Sequence, residues 1–118
     1  MKILYTSDLH GESRLYEELW ALAGSSSAEI IALGGDLLPS FAPTKRYEDM
    51  IPYQKAFIDQ SLLPLFNRIT ETTAAKKIFM IPGNWDLGYP FLFEKPLAAI
   101  VDLNQKAYRL ENGYELIG

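Results

Sequence analysis

An aspartate and a histidine stand two positions apart near the start of the chain, in Asp8-Leu9-His10-Gly11. An extended backbone would point Asp8 and His10 to one side and Leu9 to the other, so carboxylate and imidazole could grip one cation. A second polar run, Gly34-Gly35-Asp36, adds a carboxylate able to bridge two cations. A third, Gly83-Asn84-Trp85-Asp86, offers the neutral amide oxygen of Asn84. Oxygen ligands with one imidazole suit Mn, Fe or Zn better than copper. The glycines let the backbone turn sharply beside a crowded ionic site. His10 is the only histidine and there is no cysteine. That excludes disulfides, zinc–thiolate sites, iron–sulfur clusters and thiol catalysis. Taken singly, each run reads as turn chemistry: Asp8 as a cap, His10 as a hydrogen-bonded loop histidine, the glycine pairs as turns. Three such runs, each directly after an apolar segment, are hard to ascribe to turns alone.

The apolar pattern shows which elements must position these residues. Segments 2–7, 29–33 and 77–81 read as short strands, and each is followed at once by one of the polar runs. Between the first two, Leu15, Leu19 and Leu22 recur at helical spacing, widened by Tyr16, Trp20 and Ala23, until Gly24 and three serines end the helix. Residues 37–52 hold Pro39, Pro43 and Pro52 and read as a long surface loop, a kind of segment that is often functional. Ile58, Leu62, Leu65 and Ile69 predict a second helix that Pro64 should kink or split. Residues 90–99 read as a short helix. Strands at 107–110 and 114–117 close the chain around Asn112-Gly113, a hairpin signal. The alternation predicts an α/β fold with a mostly parallel sheet, flanking helices and right-handed crossovers. Functional residues of such sheets gather beyond the carboxyl ends of the strands, which brings the three runs to one rim.

Composition narrows the function classes. With 118 residues and 48% hydrophobic content, the chain suits one domain with a sizeable core. A net charge of −4 argues against a broad nucleic-acid-coating face. No apolar run approaches the roughly 20 residues of a membrane helix, and the start does not read as a signal peptide. A cytoplasmic location is the expectation, with no membrane partner and nucleic acid disfavoured. Neither standard Gly-rich phosphate loop is present.

Asp8-x-His10, Gly34-Gly35-Asp36 and Gly83-Asn84-x-Asp86 resemble the first three motifs of the calcineurin-like metallophosphoesterases. The resemblance implies a hydrolase of phosphate mono- or diesters in which a hydroxide activated by two divalent metals (Mn, Fe, Zn or Mg) attacks phosphorus in line. It places Asp8 and His10 on the first metal, Asp36 between both and Asn84 on the second. Asp86 is then an outer residue that orients the loop or a ligand. Two departures matter. Many relatives carry His where this chain has Trp85, and indole does not titrate near neutrality, so Trp85 cannot act as a general acid. Its bland role is an aromatic that packs over the rim or stacks on a substrate base. The family pattern also continues into further His-rich motifs, for which no histidine remains here. Residues 1–118 are therefore expected to form the N-terminal part of a phosphoesterase domain, half of a four-layer α-β-β-α sandwich, with an uncovered sheet face that favours homodimerisation. Two other readings remain beside this one: a non-catalytic metal- or phosphate-binding domain, and a receiver- or flavodoxin-like domain in which Asp8 and Asp36 hold one Mg²⁺. Tyr47, Tyr53, Tyr89 and Phe91 are aromatics that either pack or face a substrate.

Overall fold

The computed structural model describes residues 1–40, 46–95 and 97–118. Part of the predicted loop, 41–45 with Pro43, lies outside the described residues, as does Pro96. Four short strands, β1 (Ile3–Thr6), β2 (Ile30–Leu33), β3 (Lys77–Met80) and β4 (Ile100–Asp102), form one parallel sheet in the order β1-β2-β3-β4. That order differs from the 2-1-3-4-5 order of a flavodoxin-like sheet, so the receiver-like reading fails on topology. The α/β class with flanking helices holds.

A sequential parallel order has a consequence for layering. Each right-handed crossover moves in the same direction across the sheet, so every crossover lands on the same face. The first crossover is α1 (Ser13–Ser26). The second is a long helical segment: α2 (Met50–Phe57), a π-helical turn (Ile58–Leu62) and α3 (Leu63–Thr72). Tyr16, Leu19 and Ala23 of α1 and Leu65, Phe66 and Ile69 of α3 pack in one core with Ile31, Leu33, Ile78 and Met80 of the sheet. The opposite side chains of the same strands, Ile30 and Phe79, point to a second core with Leu103 and Leu110. A hairpin of β5 (Ala107–Arg109) and β6 (Glu115–Ile117) covers that side. The sheet centre is thus covered on both faces, as its nearly continuous apolar strands require. The expected bare face is reduced to the β1 side, where Ile3, Tyr5, Tyr114 and Ile117 are exposed.

Several local expectations are corrected. The buried stripe of α1 runs through Tyr16, Leu19 and Ala23, and Leu22 is exposed. The helix outlasts Gly24 and ends at Ser27 in the left-handed region (φ 56°). The loop is shorter than 37–52: a 3₁₀ turn (Tyr47–Asp49) leads into α2, with Pro52 in its first turn, where a missing N–H costs nothing. Pro64 splits the long helix as predicted. The Leu63 N–H reaches back five residues to the Ile58 carbonyl, and Pro64 opens the next helix. The predicted helix at 90–99 is only a 3₁₀ turn (Tyr89–Phe93), and β4 follows it. The hairpin turn falls where Asn112-Gly113 places it, with Gly113 at φ 89° and the Tyr114 N–H held by the Asn112 side chain at 3.1 Å.

Candidate metal centre

The loops after β1 and β2 keep pairing beyond the strands. Asp8 N–H donates to the Gly35 carbonyl at 2.9 Å, His10 N–H to Asp36 at 2.9 Å and Gly11 N–H to Leu37 at 3.0 Å. Asp8 (φ 59°), His10 (φ 46°) and Asp36 (φ 51°) are all in the left-handed region. Non-glycine residues are uncommon there, and where they occur such strain gathers at functional sites. The extended backbone expected at Asp8 and His10 is therefore absent. Two left-handed residues flanking Leu9 bring the side chains together instead, and Leu9 is buried.

Ligand atoms of Asp8, His10 and Asp36 all lie within 4.8 Å of one another. Two ligands on one cation with bonds near 2.2 Å are at most about 4.4 Å apart, so small side-chain rotations bring these atoms into range. His10 Nε2 is 3.9 Å from Asp8 Oδ1, and its Nδ1 is 3.3 Å from the Ser40 hydroxyl. Ser7 donates to Asp8 Oδ2 at 2.7 Å, and the Trp85 N–H donates to Asp36 Oδ1 at 3.3 Å. Among the described residues no Lys or Arg pairs with Asp8 or Asp36. Two carboxylates converge with no cationic partner among the described residues, and that donor set fits a divalent cation.

The third polar run meets the second through Asp86. Its buried carboxylate accepts from the Leu37 N–H at 2.9 Å, the Leu38 N–H at 3.0 Å and the Gly83 N–H at 2.9 Å. One acid therefore ties both rim turns together. Gly83 owes its identity to close approach: a Cβ there would collide with the Asp36 backbone nitrogen and carboxylate. Gly35 (φ 102°) faces the Gly83 backbone in turn. Asn84 is exposed on the same turn, between Gly83 and Trp85, both of which approach Asp36. Trp85 is exposed on the rim.

Sequence reading missed Gln54 and Ser40. Gln54 of α2 is fully buried. Its amide nitrogen donates to the carbonyls of Pro39 and Trp85, each at 2.8 Å, and its oxygen accepts the Gly88 N–H at 2.7 Å. It thus fastens the helix to both rim loops. A lone glutamine on a helix carries no sequence signal for this. The aromatics divide: Tyr47 is exposed, Tyr53 lines a cleft beside His10, and Phe91 packs against the main core with Lys55 above its ring. Tyr89 is buried, its hydroxyl within 2.8 Å of the Met80 carbonyl and 2.7 Å of Asp102 Oδ1. Burial, then the bond to Asp102, raises its pKa. Burial also raises that of Tyr16, whose hydroxyl donates to the Leu37 carbonyl at 2.7 Å.

A parallel sheet with a carboxylate–imidazole–carboxylate cluster beyond its strand ends defines an α/β protein with a candidate metal site at its rim. The family model for calcineurin-like phosphoesterases matches residues 1–116, and the chain belongs to that family. No curated protein and no solved structure matches it significantly. Among the described residues no helix is long and apolar enough to cross a membrane.

Proposed function

We propose that this chain is a metal-dependent phosphoesterase whose divalent cations are held by Asp8, His10, Asp36 and Asn84, with Asp36 shared between two positions. The observation that carries the reading is the convergence of Asp8, His10 and Asp36 within 4.8 Å, without a cationic partner among the described residues. Divalent cations supply Lewis-acid polarisation of the phosphoryl group and a nucleophile at neutral pH. The residues of the chain do the rest. Ser40 holds His10 by Nδ1 and leaves Nε2 toward Asp8. Asp86 and Gln54 fix the spacing between the loop of Asp36 and the loop of Asn84. The remaining coordination positions are left to water, substrate or further protein ligands.

Trp85 gives the reaction a recognisable preference. With no titrating side chain at that position, the leaving oxygen departs without a proton from it. General acid catalysis is worth about 10²–10⁴-fold, so esters of acidic alcohols are the preferred substrates. The test is Mn²⁺-dependent hydrolysis of bis(p-nitrophenyl) phosphate, which has such a leaving group. Turnover by the native chain and its loss in Asp36→Asn is the expected result. Metal uptake without turnover would replace this reading by the non-catalytic one.

A further inference from the structure

An open cleft of about 650 Å³ starts at His10 and runs between the beginning of α1 and the face of α2. Glu12 and Ser13 line it from the start of α1, Tyr53 and Phe57 from α2, and Ser61 from the π-helical turn. Among the described residues that line it there is no Lys or Arg. The described lining therefore offers one carboxylate, hydroxyls, an imidazole and aromatic rings. An anionic group there would face the Glu12 carboxylate and gain no charged donor from the described lining. A flat uncharged group would find ring surface and hydroxyls.

The α2 side is fixed relative to the metal rim. Gln54, bonded to the Pro39 and Trp85 carbonyls, lies between Tyr53 and Phe57 in the same helix. The Phe57 ring is anchored in turn, with its centroid 6.0 Å from that of Tyr16. Tyr53 is the exposed part of that side.

We propose that this cleft receives the alcohol part of the phosphate ester and selects an uncharged aromatic one over a small alkyl or a second anionic group. The proposal rests on the phosphoesterase reading above: His10 belongs both to the Asp8–His10–Asp36 cluster and to the cleft lining, so a phosphoryl group held at the cluster has the cleft beside it. Offset or edge-on packing against one ring strengthens binding by up to about tenfold.

The test separates the two readings by using phosphonates, which keep the phosphoryl head and are not hydrolysed. Phenylphosphonate, methylphosphonate and phosphonoacetate are titrated calorimetrically into the Mn²⁺-loaded native chain, Tyr53→Ala and Tyr53→Phe. Phenylphosphonate should bind the native chain about tenfold more tightly than methylphosphonate, and phosphonoacetate more weakly than either. In Tyr53→Ala the phenyl-to-methyl ratio should fall toward one with methylphosphonate unchanged, whereas Tyr53→Phe should keep the ratio. Equal native affinities for the phenyl and methyl compounds overturn the cleft assignment and leave the phosphoesterase reading standing. So does an unchanged ratio in Tyr53→Ala, or tighter binding of phosphonoacetate. Failure of all three to bind overturns both.

Discussion

At the scale of single residues, identity at the rim follows from crowding. That Asp8, His10 and Asp36 meet at one rim was legible from polar runs that each directly follow an apolar segment. What was not legible was the backbone that unites them, since nothing in Asp8-Leu9-His10 announces left-handed geometry at both ends. Gly83 illustrates the same limit: its place in a turn was readable, but the neighbour that forbids a Cβ, Asp36, is distant in sequence. Gly83→Ala should push the Asp36 carboxylate out of the cluster and lower Mn²⁺ affinity at least tenfold, with the backbone shift confined to the rim. An unchanged Mn²⁺ titration would refute the close-approach argument. Asp86→Asn should weaken metal binding about 10–100-fold, the usual cost of removing a group that orients a ligand. The amide keeps one acceptor oxygen, so the fold should survive, and circular dichroism would check it.

At the scale of elements, side chains that join separate loops decide the arrangement. Gln54→Leu preserves volume but strands the Pro39 and Trp85 carbonyls and the Gly88 N–H. Stranding the buried Gly88 N–H costs about 1–3 kcal/mol, and the two part-buried carbonyls add to it, so the urea midpoint should fall. A loss below about 0.5 kcal/mol, ordinary for a surface substitution, would contradict the latch. The strand β4 depends on a similar device. Burial pushes the Asp102 carboxyl up, but bonds from the Tyr89 hydroxyl, the Asn104 N–H and the Lys106 ammonium outweigh it and hold its pKa below the ordinary value. A carboxyl lowered in the folded state adds stability above its unfolded value near 3.9, and that stability is lost as pH falls through the lower folded value. Asp102→Asn should therefore flatten the stability–pH curve below about pH 4. An acid limb as steep as that of the native chain would rule out this role. Here the sequence pattern misled: 90–99 read as a helix, yet Pro90 and the aromatics form a 3₁₀ turn anchored by Tyr89, and the three-residue β4 was too short to register as periodicity.

At the scale of the whole molecule, one topological fact organises the layers. Because the parallel strands follow one another in sequence, the helices share one face and the hairpin takes the other. The apolar character of β2 and β3 demands cover on both faces; the expectation was a face left for a second copy, whereas the hairpin that Asn112-Gly113 foretold packs over it. That the hairpin itself is the cover depends on a contact between distant segments, Phe79 against Tyr108, with ring centroids 4.8 Å apart and nearly edge-to-face. Phe79 is almost wholly buried between sheet and hairpin. Phe79→Ala should cost about 3–5 kcal/mol by chemical denaturation, the usual range for a buried phenylalanine. A cost below about 1 kcal/mol would mean that the hairpin does not seal this core.

The central claim is that the strand-end cluster is a metal centre with Asp36 shared between two positions. The most direct measurement is equilibrium Mn²⁺ binding, read from the free-ion electron paramagnetic resonance signal, for the native chain and for Asp36→Asn. The expected result is two bound ions in the native chain and weakened binding of both in the variant, since a shared ligand serves both. Equal Mn²⁺ content and affinity in the two proteins would contradict the account.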